Sequence, residues 1–580
     1  MEKIDPRKFQ EVVSQGFKRL STYRASRAMF INEYVGQYYK SEKGTAGDKP
    51  INLIFHAIRT LVPNIIMRSP ENEAVTDIIQ HQAYADLLGM GINSVQRRID
   101  MKATLRAWLV DAIFAMGVIK VGISQSDKLL QFGDEEIDPG EIYAELVDLD
   151  NLVFDPNCTN IRRSAFIGDR VCVPRQMLLD SNIYDHDIAS TLPQAGALNS
   201  KKKVEQLSKS NTSELEFIQM QDLVNVVNVW VAEANAIITI PDPSEMKTEK
   251  YLAVQDYYGP KSGPYVDLSL TVPVPNNPYP VAPVSIWYDL HQMTNNMFKK
   301  AMDQAERQKS IAVCDQRNAD LAEDTRDAKD GDVIIGDPTS VKEVKLGGQD
   351  PSNISMIQQL QVWFNYMSGN PDQLSGASSD AGTATQANIL EANSRVTIED
   401  AKDIVYDRTA EVSRRIAWYL HNDPLIDLPL AKRKPGGERV QLHLTPEQRE
   451  GDFLEFTFKI KAKSLTNMDP QIRSRRVIEF ATKLLPGIMT SANVAMQMGV
   501  PFNVQRAIMD LAKELGIADE VEDWFQDPDF MKKLQLKMMM GPQPAGKGTA
   551  SPSGPEGPDT VHKKQQQEKP AESQSINKGM

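Results

Sequence analysis

The sequence predicts an α+β fold, and three observations carry that expectation. Blocks of helical periodicity and blocks of strand alternation succeed one another along the chain. A segment free of glycine and proline, Thr383 to Asp423, keeps Ile398, Ala401, Val405, Val412, Ile416 and Leu420 at helical spacing, enough for one helix of ~60 Å at 1.5 Å per residue. A proline-dense strap, Pro260 to Pro283, separates a first half with several strands from a second half dominated by helices.

Taken in order, Pro6 to Tyr39 reads as helix, with Phe9, Val13, Phe17 and Leu20 at helical spacing. Asn52 to Met67 reads as an apolar helix interrupted at Pro63 and closed by Ser69-Pro70. Ile92 to Met116 lacks glycine and proline, puts Leu105, Leu109, Ala112 and Met116 on one face, and meets a stop at Gly117. Strands are expected over Val118–Ile123, Glu145–Phe154, Ala165–Val173, Val224–Ala232 and Ile237–Ile240. Between them, the polar stretch Leu192 to Thr212, with Lys201-Lys202-Lys203, reads as an exposed loop.

After the strap, Ser285 to about Val313 carries Ile286, Leu290, Met293, Met297, Ala301 and Ala305 as one helical stripe. Cys314 to Lys345 is rich in charge and turns, with short strands at Asp332–Ile335 and Val341–Leu346. Asp350-Pro351-Ser352 starts a second helix whose stripe, Ile357, Leu360, Phe364 and Met367, ends at Gly369. A loop of small residues follows, Asn370 to Thr383, with no basic or aromatic side chain. Beyond the long helix, Glu438 to Lys463 returns to strands, alternating through Phe453–Lys461. Asp469 to about Phe530 reads as short helices broken at Pro486 and Pro501, and Gly541–Met580 as a disordered tail.

At 580 residues the chain is longer than a single core needs, and 41% hydrophobic with 25% charged residues excludes collagen-like, wholly disordered and disulfide-scaffold classes. Cys158, Cys172 and Cys314 form no C-x-x-C pair, which argues against a disulfide framework or cysteine-zinc site and for a reducing compartment. Met1 to Gln10 lacks the basic-then-apolar pattern of a secretory signal. The longest uncharged stretches are interrupted by prolines, glycines and amides, so no membrane partner is expected. With 65 basic against 78 acidic residues, the net charge of −13 argues against tight DNA binding by the whole surface.

No phosphate-binding loop, dinucleotide fingerprint, zinc-hydrolase motif or nucleophile elbow occurs, and no two of the seven histidines lie within four residues. Neither a catalytic site nor a cofactor is therefore expected. Asp315, Asp320, Glu323, Asp324, Asp327, Asp330 and Asp332 form a carboxylate run, but Gly331 is not followed by the glutamate a calcium loop requires. The run reads as an acidic docking surface; a metal-dependent nuclease using the same carboxylates is the alternative. From Leu346 to Ser394 there is no Lys or Arg, while Asp350, Asp372, Asp380 and Glu391 are present. Repeated around a ring, that segment would make a negative annulus that repels phosphate.

This order of elements resembles the portal, or head-to-tail connector, proteins of tailed bacteriophages, over about Ile51 to Asp527. The resemblance rests on Asn52-Leu53-Ile54 with Arg59-Thr60-Leu61-Val62-Pro63 and Ser69-Pro70, and on Asp111-Ala112 before Gly117-Val118-Ile119-Lys120-Val121-Gly122. It also rests on Leu149 to Pro156, on Pro280-Val281-Ala282-Pro283 leading into a helix, and on Gly382-Thr383-Ala384-Thr385-Gln386 opening the long helix.

The resemblance implies a portal-type, ring-forming fold with these parts: 1–284, an N-terminal helical and α/β wing region; 285–313, stem helix 1; 314–350, the α/β clip; 351–369, stem helix 2. It continues with 370–386, the tunnel loop; 387–468, a long kinked wing helix and strands; 469–540, a helical crown; and 541–580, a disordered tail. Asn370, Gln373, Ser375, Ser378, Ser379, Asp380 and Thr383 would face DNA in the channel, and Arg317, Asp320, Glu323, Asp324, Asp327 and Asp330 would dock the motor or adaptor. The implied partners are further copies of the chain in a dodecamer, the terminase large subunit, head-completion or tail adaptor proteins, major capsid and scaffolding proteins, and double-stranded DNA passing without sequence-specific binding. The implied location is a capsid vertex of the virion, with assembly in the host cytoplasm. A non-channel adaptor or scaffold is the remaining alternative.

Overall fold

Asp5 opens helix α1 (Pro6–Arg19) by accepting the Arg7 N–H, with Pro6 at the first helical position, where a missing N–H costs nothing. The computed structural model describes residues 5–35, 51–126, 130–132, 135–195, 222–271, 273–314, 341–346, 348, 350–369, 384–433, 439–460 and 477–497, with positions 504, 507, 508, 511, 512 and 521. The single helix expected from Pro6 is two: the chain turns at Leu20 into α2 (Ser21–Val35). Arg27 of α2 ties it to the body through Asp111 at 3.0 Å and Asp148 at 2.9 Å.

Helix α3 (Leu53–Ile65) is capped by the Asn52 side chain and continues two residues past Pro63. The proline removes one N–H in the last turn, while buried Leu61 and Ile65 hold that turn against the core. Strand β1 (Asn72–Thr76) leads to α4 (Gln82–Arg98) and α5 (Met101–Phe114). The uninterrupted helix expected from Ile92 breaks here, because Asp100 adopts a left-handed conformation (φ 46°), which aspartate tolerates better than most residues. Helix α4 begins earlier than expected and includes Gly89, where a Cβ would sit 3.3 Å from the Ala74 backbone nitrogen; the missing side chain lets β1 lie close.

The strands that follow are β2 (Gly117–Ser124), β3 (Leu130–Phe132), β4 (Glu135–Ile137), β5 (Glu141–Val147), β6 (Leu152–Phe154) and β7 (Phe166–Pro174). The expected strand Glu145–Phe154 is interrupted by a turn in which Asp148 accepts the Asp150 N–H and, through its carbonyl, the Asn151 N–H. Short helices α6 (Arg175–Asp180) and α7 (His186–Thr191) precede β8 (Leu223–Val231), β9 (Ala236–Pro241), β10 (Ala253–Asp256) and β11 (Tyr265–Leu268). Strands β6 to β10 form an antiparallel sheet in the order β10-β9-β8-β7-β6, and β11-β2-β5 form a second. The strap is thus not wholly irregular, since β11 lies within it.

Helix α8 (Pro283–Glu306) ends seven residues short of the expected Val313, and the chain continues as β12 (Lys309–Cys314), paired antiparallel with β13 (Val341–Leu346). Helix α9 (Pro351–Met367) follows, then α10 (Ala384–Asn422), 39 residues long. Strands β14 (Leu428–Arg433) and β15 (Arg439–Leu444) form a hairpin, and β16 (Phe456–Ile460) pairs with β1, joining distant parts of the chain. Pro486 does not break the helix expected around it. A π turn over Phe480–Leu484 precedes α11 (Leu485–Gln497), and its wider backbone leaves room for the proline ring.

The fold is α+β, as the sequence predicts. Its largest core joins α3, α4 and α5 with β2, β5 and the second half of α10, around Leu88, Leu105, Trp108, Val405, Ile416 and Leu420. No described helix is long and apolar enough to cross a membrane.

Candidate functional site

Helices α8 and α9 pack side by side as an antiparallel pair joined by the β12–β13 hairpin. Pro283 presets the first turn of α8, and the Ser285 hydroxyl donates to the Ala282 carbonyl at 2.6 Å. At that end the Trp287 indole N–H donates to the Met367 carbonyl at 3.2 Å, and its ring meets Phe364 edge-on at 6.4 Å. At the hairpin end Gln304 accepts from the Asn353 side chain at 2.8 Å, while Asp350 caps α9 through the Ser352 N–H at 2.9 Å. Those hydrogen bonds hold the Asp350 carboxyl below its ordinary pKa.

The pair buries polar groups beside apolar ones and exposes large apolar residues. Its buried side on α8 includes His291, Thr294 and Asn295. Asn295 donates to the Ile51 carbonyl and accepts the Ile51 N–H, and His291 lies 3.6 Å from the Glu33 carboxylate. The apolar stripe expected on α8 lies largely outside the core: Ile286 and Met293 are exposed, and of the six positions named only Ala301 is buried. On α9, Leu360 and Phe364 are buried, but Val362 is 58% exposed, Trp363 46%, Tyr366 75%, and Ile354, Met356 and Met367 are exposed too. Of the large apolar residues that are exposed among the described residues, nine of 24 lie on these two helices. Such a concentration on one feature marks a contact surface rather than scattered surface residues.

Helix α10 is joined to the body by Arg415, which is 6% exposed and donates to the carbonyls of Gly263 at 2.8 Å, Tyr265 at 3.1 Å and Ser262 at 3.3 Å. Burial works against its charge and brings its pKa down, and Glu411 opposes that effect. Between the two sheets, Asp169 accepts from Lys120 at 2.8 Å and from the Tyr265 hydroxyl at 2.5 Å. Burial disfavours the Lys120 charge, but Asp169, Tyr143 and Glu145 outweigh it and raise the pKa. These are hydrogen-bonded polar joints inside the fold.

The residues expected to act in a channel, Asn370, Gln373, Ser375, Ser378, Ser379, Asp380 and Thr383, lie outside the described residues. So do Arg317, Asp320, Glu323, Asp324, Asp327 and Asp330, and with them the carboxylate run as a whole. What is described is their mounting: β12 and β13 carry the charged insert, and α9 and α10 flank the loop. Among the described residues no group of three or more His, Cys, Asp or Glu side chains could hold a metal ion.

Sequence reasoning placed the apolar stripes on helices and expected a single chain to expose those of α8, α9 and the long helix. On α8, Ile286 and Met293 are exposed, but on α10 Ile398, Val405, Val412 and Ile416 are buried in the main core, because α10 packs on the body. What the sequence reading missed is the second stripe on α8, Trp287, His291, Thr294 and Asn295, which supplies hydrogen-bonding groups where α8 meets the body. Compared with protein-family models and with curated proteins, the chain matches none.

Proposed function

We propose that this chain is the subunit of a portal ring, through which double-stranded DNA is packaged into a capsid and later ejected. The observation that carries the reading is the helix pair: nine large apolar residues of α8 and α9 are exposed in the single chain, and polar groups of α8 are buried. A surface of this kind is covered when neighbouring copies of the pair stand side by side, and repetition by rotation closes them into a ring. The order of elements supports the same reading, with a charged insert on a two-stranded hairpin at one end of the pair and a long helix across the body.

In this reading α8 and α9 are the stem, β12, β13 and the insert are the clip, and residues 370–386 are the tunnel loop. The clip carboxylates dock the terminase large subunit and then the head-completion or tail adaptor proteins. The wing and the segment after β16 meet major capsid and scaffolding proteins. The tunnel loop offers DNA no cation, so duplex passes without being gripped. ATP hydrolysis belongs to the terminase, and the ring itself is a structural component rather than an enzyme.

Native mass spectrometry and negative-stain imaging of the purified chain test this. The expected result is a closed ring, dodecameric by resemblance, with a central hole wide enough for duplex DNA. A chain that stays monomeric at micromolar concentration, or forms an assembly without a hole, would overturn the proposal. Replacing Asp324, Asp327 and Asp330 with alanine separates the nuclease alternative: the ring reading expects weaker motor or adaptor engagement with assembly intact, whereas loss of a metal-dependent cut favours the nuclease.

A further inference from the structure

Strand β5 is the edge of the sheet β11-β2-β5: one side pairs with β2, from Val118↔Val147 to Ser124↔Glu141, and among the described residues no strand pairs with the other. An open cleft of about 700 Å³ is lined by every residue from Glu141 to Leu146, by Ser124 at the end of β2, and by Ile99 and by Ala103, Thr104 and Ala107 of α5. Alternate residues of a strand point to opposite faces. A cleft that touches six consecutive residues therefore runs along the strand's edge, where backbone N–H and C=O groups are presented, rather than over one face. Six residues at about 3.4 Å each make this edge roughly 20 Å long.

The two faces of β5 differ in chemistry. Ile142 and Ala144 are buried in the main core, toward α5. Glu141 and Glu145 are exposed on the opposite face. Charged side chains on an edge strand usually discourage pairing of any kind. Here both are acidic; Glu145 stands opposite Lys120 of β2, whose charge it supports, and Glu141 at the strand's start has no cation opposite it in the register, so the pair repels an acidic strand and favours one that places Lys or Arg beside it. On the α5 side, Ala103, Thr104 and Ala107 are small and leave depth for apolar side chains of an added strand.

We propose that the β5 edge is a docking site for an extended basic segment of a separate polypeptide, which adds to the sheet as a fourth strand. The segment alternates Lys or Arg, paired with Glu141 and Glu145, with apolar residues that enter the cleft against α5. Main-chain hydrogen bonds to β5 supply affinity and the two glutamates supply selectivity.

The test uses the full-length chain in its purified assembly state and the labelled peptide Lys-Val-Lys-Ala-Lys-Val-Lys. Hydrogen exchange first reads the β5 amides, which should exchange faster than those of β2. Adding peptide should slow β5 exchange without changing β10, one edge of the five-stranded sheet. Fluorescence anisotropy should show binding that weakens about tenfold or more when alternate peptide nitrogens are methylated, and similarly in the double variant Glu141→Lys/Glu145→Lys. Both glutamates are exposed, and a melting curve matching the parent chain controls for folding. Absence of binding would overturn the proposal. Binding unaffected by both methylation and charge reversal would reduce the site to general electrostatic attraction and overturn it as well. Slow β5 exchange before peptide is added would show that another copy of the chain already covers the edge, which also refutes a separate partner.

Discussion

Truncating Trp363 and Tyr366 together to serine separates the two possible roles of the α9 surface. Aromatic side chains present roughly 150–250 Å² each. With Tyr366 75% and Trp363 46% exposed, a single chain leaves on the order of 250 Å² of these two residues in water. At 25 cal/mol per Å², covering that area contributes at most about 6 kcal/mol per contact. Ordering of side chains and incomplete burial reduce it to the ~2–4 kcal/mol typical of an interfacial anchor. The expected outcome is association weakened by about 30- to 700-fold, at ~1.4 kcal/mol per tenfold. Stability of the isolated chain should change by less than about 1 kcal/mol, because both residues are substantially exposed there. Sedimentation velocity over a concentration series reads the first quantity and urea unfolding of the dissociated chain the second. An oligomer distribution identical to the parent would refute the assignment of this face to assembly. A large loss of stability in the dissociated chain would show that the residues pack within the subunit instead.

Arg415→Ala should cost about 3 kcal/mol in urea unfolding by leaving the Ser262, Gly263 and Tyr265 carbonyls without their donor, and Arg415→Lys should restore little, because one ammonium cannot reproduce the guanidinium fork. Gly117→Ala would place a Cβ 2.4 Å from Trp108 Cδ1 and 2.5 Å from its carbonyl oxygen, so a loss of about 1–3 kcal/mol is expected; an unchanged melting temperature would contradict the close packing of β2 on α5. His421, bonded to the Tyr84 hydroxyl at 2.8 Å, has its pKa lowered from 6.5 first by burial and then by Arg449. Its unfolded form therefore binds a proton that the folded form resists, so stability should fall as pH drops through 6.5 toward the lower folded value; His421→Gln should flatten that part of a pH-melting profile. Exchanging Ser378 and Ser379 for lysine should leave assembly intact but make DNA retention salt-sensitive and slow packaging; a normal packaging rate at low salt would show that this loop does not meet DNA.

Regular elements were legible where one local pattern dominated. Thr383–Asp423, without glycine or proline, is the helix Ala384–Asn422, and the valine-rich run Val224–Ala232 is β8. Elements fixed by distant partners were not: β1 has only five residues, and it becomes a strand by pairing with β16, nearly four hundred positions along the chain. Periodicity finds apolar faces but does not say what covers them. Ile286 and Met293 fit a helix stripe whether it meets the core or another subunit, and only the burial of His291 and Asn295 on the other side decides against the core. Breaks such as Asp100 depend on one residue's tolerance for positive φ, which leaves the surrounding pattern unchanged.

The contacts of α8 and α9 are unevenly placed along their length. His291 and Asn295 fasten the inner half of α8 to the body, through Glu33 and Ile51, whereas at the far end Gln304, Asp350 and Asn353 hold the two helices to one another. Mechanically the outer half of the pair, beyond Asn295, is a cantilever, and the inner half of α8 is its root. A sideways load on the hairpin reaches that root as a bending moment, shared between directional hydrogen bonds to Ile51 and the packing of Val284, Trp287 and Tyr288, whose ring meets Phe30 of α2 edge-on at 5.6 Å. A load on the tip is thereby passed to α2 and to the residues before α3, which the root touches.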